Sequence, residues 1–260
     1  MTEQLQSLTY AEFLSLYEPL AAALTDPAFH APETTDRLWR IAVRLGENAK
    51  KFNLTAITEP SAVVEKHLVD SLLPLSMLRA RGILDERFRY GEKAVSVCDI
   101  GAGAGFPSLP MAAVLHPFGG HVLAIDATAK KVRYITETAA EVGLSGITAQ
   151  AGRAEELARG GLGERFPMVT ARAVAELRVL MELCAAYVKV GGIFVAMKAH
   201  AAEEYDAAKK AARPLGFDIG EVIPYALPNG DARALVLYNK VKSTEIPYPR
   251  PYAKILQKPL

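Results

Sequence analysis

Little in this chain is suited to crossing a membrane or to stabilisation by cross-links. No stretch approaches the roughly 18 uninterrupted apolar residues that span a bilayer. The first residues carry acids where a leader would need basic residues ahead of an apolar run. Cysteine is scarce: Cys98 falls in a strand pattern and Cys184 in a helical one, so neither a disulfide framework nor a zinc site is expected. Net charge is scarce too, +1 over 260 residues. These absences predict a cytoplasmic chain without metal or membrane, expected to act as a monomer. What is present is ordinary for a globular protein, half apolar and 23% charged, and long enough to bury a substantial core.

The near-zero net charge hides an uneven distribution. Residues 1–36 hold acids and no Lys or Arg, whereas Arg37, Arg40, Arg44, Lys50 and Lys51 follow closely with Glu47 as the sole acid among them. A second basic stretch at the end holds Lys240, Lys242, Arg250, Lys254 and Lys258 against Glu245. Two such segments could contact phosphates or be solvated surface, and charge alone does not choose.

Hydrophobic spacing divides the chain. Thr9-Tyr-Ala-Glu12 has capping-box spacing ahead of Phe13, Leu14, Leu16, Tyr17 and Leu20. A second helix is predicted after Pro32, with Leu38, Ile41, Leu45 and Phe52 on one face, and a third from Pro60 through Val64, His67, Leu68 and Leu72. From residue 94 strands alternate with helices: strands over Ala94–Asp99, His121–Asp126, Ile147–Ala151, Met168–Ala171 and Ile193–Met197, with helices between them. That alternation predicts βαβ units and a parallel sheet. Phe217–Tyr225 and Arg233–Asn239, joined through Asn229-Gly230, read as a terminal antiparallel hairpin, making seven strands. The expected division is a helical segment over 1–85, an α/β domain over 86–242, and a basic, Pro-rich tail over 243–260.

The first strand runs into "DIGAGAGFPSLP", residues 99–110, a glycine-rich loop of the kind that cradles nucleotide cofactors. A dinucleotide fingerprint would place its third glycine at position 106, where Phe106 stands, and a P-loop would need Gly-Lys-Ser/Thr. Asp99 puts a carboxylate at the loop, and Pro107, at the expected first helical position, removes an N–H from the end that would bind an anion. A ligand with a cationic end and no phosphate fits better, and S-adenosylmethionine is one. Gly101, Gly103 and Gly105 would then admit it closely. Asp126, ending the second strand, would accept from its ribose hydroxyls, and Ala154 and Glu155, after the third, would lie near its adenine.

Those residues are joined by others that form a pattern. "FNLTAITEP" (52–60), "KHLVDSL" (66–72), "DIGAGAGFPSLP" (99–110), "DATAKKVRYI" (126–135), "ARAVA" (171–175), "MKA" (197–199) and "ARALVLYNK" (232–240) occur in one order. In these the chain resembles the ribosomal RNA small subunit methyltransferase G family (RsmG, also called GidB). The resemblance implies the class I S-adenosylmethionine-dependent methyltransferase fold, Rossmann-like, and an enzyme that methylates N7 of a guanine in 16S rRNA. The implied partner is 16S rRNA or the small ribosomal subunit. It assigns cofactor contacts to Gly101, Phe106, Ala154, Glu155 and Arg172.

The residues agree through what they lack. Guanine N7 has an accessible lone pair and needs no base to attack a sulfonium methyl, so alignment can supply most of the catalysis. An exocyclic-amine methylase would carry Asn/Asp-Pro-Pro-aromatic after the fourth strand, which here reads "MVTARAVA"; a pyrimidine C5 methylase would need a loop cysteine. Arg172 and Lys198, closing the fourth and fifth strands, and His67 and Asp70, on the third helix, are the candidates for substrate handling. The alternative reading is an S-adenosylmethionine-dependent methyltransferase acting on a small molecule or protein.

Overall fold

The computed structural model describes residues 2–84, 95–199 and 201–260. Seven strands form one sheet in the order β3-β2-β1-β4-β5-β7-β6, with β1 at Ser96–Ile100, β2 at His121–Asp126, β3 at Ile147–Ala151, β4 at Phe166–Arg172, β5 at Val188–Lys198, β6 at Glu221–Ala226 and β7 at Ala232–Asn239. β1 pairs with β4, and β4 with β5, in parallel; β7 runs antiparallel to both β5 and β6. The order therefore reverses between β1 and β4, and in open α/β sheets ligands gather at the carboxyl edge of such a reversal. The expected start of the first strand at Ala94 lies outside the described residues. No described helix is long and apolar enough to cross a membrane.

By its contacts the chain divides into two compact units. One comprises Met1–Val95, Ala102–Ala124 and Thr128–Gln150, the other Ser96–Gly101, Ile125–Ala127 and Ala151–Leu260.

The first unit is built around α3, Pro32–Phe52, after α1 at Thr2–Gln6 and α2 at Tyr10–Leu20. The capping box forms as its spacing predicts: Thr9 Oγ1 accepts from the Glu12 N–H at 3.3 Å, and Glu12 accepts from the Thr9 N–H at 2.9 Å. Leu38, Ile41, Leu45 and Phe52 bury one face of α3, and Asn53 ends it at φ 51°, a left-handed cap that asparagine tolerates. The third helix is less regular than its spacing suggests. α4 (Pro60–Val63) and α5 (Asp70–Ala80) are separated by a π-helical turn over Val64–Val69. Such turns widen the ladder to i→i+5 and leave no mark in hydrophobic periodicity.

Two elements differ from expectation for stated reasons. Pro107 is not the first helical residue; it caps α6 (Ser108–Leu115), after a cis peptide bond with Phe106. β6 begins at Glu221 rather than at Phe217: Phe217 makes an isolated bridge to Lys240, and the Asp218 carboxylate takes the Asn239 N–H at 3.0 Å and its side-chain amide at 2.8 Å. The Asp218 N–H also donates to the Asn239 carbonyl at 3.0 Å, so pairing persists at this point as an isolated bridge braced by side-chain bonds.

In the second unit Lys240 is a larger departure. It is 1% exposed, not a surface charge. Its ammonium donates to the carbonyls of Ala185 (2.8 Å) and Leu215 (2.9 Å) and to Thr244 Oγ1, with Glu164 at 3.5 Å. Burial pulls its pKa from 10.5 down to about 8, against the opposing pull of Glu164. Between these values the unfolded chain holds a proton that the folded one has released. This residue's contribution to stability therefore rises with pH across that window and is lost as pH falls through about 8. Urea unfolding of the wild type and Lys240→Met, compared at pH 7 and pH 9.5, should shift in favour of the wild type by about 2 kcal/mol at the higher pH. An unchanged difference would show that the ammonium is not held down by its surroundings.

Candidate active site

A pocket of about 500 Å³ opens in the second unit where three strands end. Ile100 and Gly101 reach it from β1, Ile125, Asp126 and Ala127 from β2, and Gly152, Arg153, Ala154 and Glu155 from the loop after β3 and from α8 (Ala154–Leu157). Val174, from the loop after β4, Leu183, from α9 (Leu177–Ala185), and Tyr252, from α11 (Tyr252–Gln257), complete the lining. This is the carboxyl edge at which doubly wound sheets hold nucleotides.

Gly101 is needed at this edge for its backbone. It sits at φ +75°, and its N–H donates to the Ile125 carbonyl at 2.8 Å, tying the loop to the end of β2. A Cβ there would meet Val174 Cγ2 at 2.4 Å. Asp126 lines the pocket, nearly buried. Glu155 is 4% exposed, and its Oε1 accepts from the Tyr252 N–H at 3.3 Å. The pocket thus combines two carboxylate residues with apolar walls from Ile100, Ile125, Val174 and Leu183. With Arg153 the one cation against these two acids, the lining is acidic in balance and suits a nucleoside joined to a cationic group better than a polyphosphate.

Four further candidates lie elsewhere in this unit. Asp99 is buried beneath the loop, accepting from the Thr170 hydroxyl at 3.2 Å, and does not line the pocket. Arg172 is half-buried at the end of β4. Lys198 ends β5 with its ammonium 2.7 Å from Glu204 Oε2 and 2.8 Å from the Ala175 carbonyl. Glu204 also accepts from the Leu177 N–H at 2.7 Å, so Lys198 braces the loop between β4 and α9 that carries Val174. Arg250, from the second basic stretch, is turned inward. It holds the fully buried Glu182 through Nε at 2.9 Å, Nη2 at 2.6 Å and its backbone N–H at 2.8 Å.

In the first unit, Gly105 sits at φ +87°, where a Cβ would strike Leu109 Cδ1 at 2.5 Å; Gly103, at φ +59°, is left-handed as well. The buried Phe106 ring stacks on His67, centroids 4.8 Å apart and planes 15° from parallel. His67 Nε2 lies 3.0 Å from Thr55 Oγ1. Asp70, the first residue of α5, is buried. The π-helical turn carries His67. At the start of α6 the Leu109 N–H is taken by the Gly105 carbonyl at 2.7 Å, removing a donor that a phosphate would use.

The first basic stretch is also partly spent on structure. Arg44 pairs with Glu47 at 3.0 Å and Glu141 at 2.9 Å, and Arg40 with Asp36. Lys51 and Arg133 lie over the Phe52 ring at 5.2 and 5.9 Å, with Lys50 and Lys130 exposed. Among the described residues no cluster of His, Cys, Asp and Glu is arranged to hold a metal ion. Of the pocket lining, Gly101, Asp126, Ala154 and Glu155 were expected from the sequence; the others, Arg153, Val174, Leu183 and Tyr252 among them, were not. Arg153 and Val174 follow strand ends and were findable by the carboxyl-edge rule; Tyr252 carries no local signal.

Comparison with known proteins agrees with this geometry. The profile of a family described as rRNA small subunit methyltransferase G matches residues 36–219. A protein of that name from Streptococcus sanguinis is 37% identical over 97% of this chain and 100% of its own length. Another, from Deinococcus radiodurans, is 41% identical over 81% of this chain and 79% of its own. Among solved structures, a SAM-dependent methyltransferase from Aquifex aeolicus aligns with TM-score 0.50 at 18% identity, covering 75% of this chain and 98% of that one. The CurJ carbon methyltransferase aligns with TM-score 0.53 at 14% identity, covering 90% and 70%. Likeness at these identities concerns the fold, and it is the class I methyltransferase fold that the resemblance implied and with which the seven strands agree.

Proposed function

Because this chain belongs to the rRNA small subunit methyltransferase G family, we infer that it is an enzyme transferring a methyl group from S-adenosylmethionine to N7 of a guanine in 16S rRNA. The pocket at the ends of β1, β2 and β3, with Gly101, Asp126 and Glu155 on its wall, is the observation that carries the cofactor reading. Asp126 accepts from the ribose hydroxyls, Glu155 and Ala154 face the base, and Gly101 lets the backbone approach the amino-acid end. Asp99, Gly103, Gly105 and Phe106 shape the loop. The bound cofactor supplies an electrophilic methyl on a sulfonium.

The protein's part in the reaction is placement. N7 attacks with its own lone pair, so no side chain removes a proton before the new C–N bond forms as the S–CH₃ bond breaks. Arg172, His67 and Asp70 are proposed to position the guanine, Arg172 through its O6 or a phosphate. Lys198 acts by holding the β4–α9 loop. Lys50, Lys51, Lys130, Lys131 and Arg133 are proposed to meet rRNA phosphates, making association salt-sensitive. The division proposed with this reading is a helical segment over 1–85, a methyltransferase domain over 86–242 and a tail over 243–260, acting as a cytoplasmic monomer.

The decisive experiment is nucleoside mass spectrometry of 16S rRNA from small subunits lacking the modification, incubated with the protein and S-adenosylmethionine. New 7-methylguanosine is the expected product. No methylated nucleoside, despite measurable cofactor binding, would move the substrate to a small molecule or protein. Asp126→Ala should weaken cofactor binding about 10- to 100-fold by calorimetry, the loss of charge-assisted bonds to the ribose. Unchanged affinity would remove Asp126 from the site.

A further inference from the structure

We propose that Tyr252, on the C-terminal helix α11, is a binding residue for the purine of the cofactor and that the tail is a wall of the cofactor site. This rests on the cofactor reading above and extends it to a residue outside the loops that follow the strands. Tyr252 is the aromatic side chain among the residues lining the pocket, and a purine is best held against a flat π face. The half-buried ring packs against the cluster of Val179, Leu183 and Ile255, and the exposed Arg153 guanidinium lies 5.3 Å from its centroid, so the ring already takes a planar cation that a purine would replace or stack beside.

The ring is also held in place, although it belongs to a tail. Its own N–H is bound by the buried Glu155 carboxylate. Two residues earlier, Arg250 grips Glu182. Three residues later, Ile255 is fully buried against Val179 and Leu183, and Leu183 itself faces the pocket. Three anchors within six residues, at Arg250, Tyr252 and Ile255, order this part of the tail. Among the described residues of the tail Tyr252 is the one that lines the pocket, so the entropy of placing it is spent before a ligand arrives.

The test is calorimetric titration of the full chain with S-adenosylhomocysteine and with adenosine, for wild type, Tyr252→Ala and Tyr252→Phe. Expected are a loss of about tenfold or more in Tyr252→Ala for both ligands and, in Tyr252→Phe, near-wild-type affinity with an unchanged melting temperature of the ligand-free protein. Wild-type affinity in Tyr252→Ala overturns the proposal while leaving the cofactor reading intact. Wild-type protein that binds neither ligand overturns the cofactor reading and this proposal with it. Should Tyr252→Ala fail to fold, wild-type protein protonated at tyrosine rings in a deuterated background decides the matter. Nuclear Overhauser contacts from a tyrosine ring to adenine H2 and H8 are expected, and their absence refutes the stack.

Discussion

Gly101→Ala should weaken S-adenosylmethionine binding by about 100-fold while leaving the protein folded. Two effects combine. At φ +75° an alanine carries the left-handed penalty of about 1–2 kcal/mol. The added Cβ also falls 2.4 Å from Val174 Cγ2 and 3.1 Å from Cγ1, so one of the two must move. Val174 is β-branched and has few rotamers to escape into. The Gly101 N–H bond to Ile125 resists movement from the other side. Both Gly101 and Val174 line the pocket, so any relief distorts its wall. Calorimetry reads the affinity, and the double variant Gly101→Ala/Val174→Ala should recover part of it by removing the clash but not the backbone strain. A double variant no better than the single would mean that backbone strain alone is at work.

Arg250→Ala should cost about 3–5 kcal/mol of stability at pH 7, although the residue lies in a tail. The reason is Glu182, fully buried, whose charge is met by the Arg250 guanidinium and backbone N–H. Removing the guanidinium leaves a carboxylate that burial penalises unless it takes up a proton. Urea unfolding at pH 7 should therefore show the deficit, and Arg250→Ala/Glu182→Gln, which takes the charge away from the buried site, should be more stable than Arg250→Ala alone. A deficit under 1 kcal/mol at pH 7 would mean that water reaches Glu182 once the arginine is gone.

How much of this was readable in advance follows from the range of each signal. β2 and β3 begin and end where expected, because apolar runs bounded by polar or glycine residues are local signals. β5 is longer at its start than expected: Gly191, at φ +81°, and Gly192 lie inside the strand, beside a register shift against β4. Asp126 and Glu155, expected beside strand ends, do line the pocket, since strand ends are local signals. Lys240 and Arg250 were misjudged because counting charges along a chain says nothing of which ones fold inward. The π-helical turn under His67 was invisible because it changes the hydrogen-bond ladder and not the hydrophobic order. Tyr252 reaches the pocket only through partners at positions 155, 182 and 183, which no local window contains.

That last distance has a consequence for how the protein is made. Ile100 and Tyr252 face one pocket, yet translation delivers them at opposite ends of the sheet's synthesis. A nascent chain that has emerged through β7 can pair its strands, but it still lacks the wall carried by α11. Pairing of the strands and completion of the pocket are therefore separate events, and contacts of such long range are the slow ones to close.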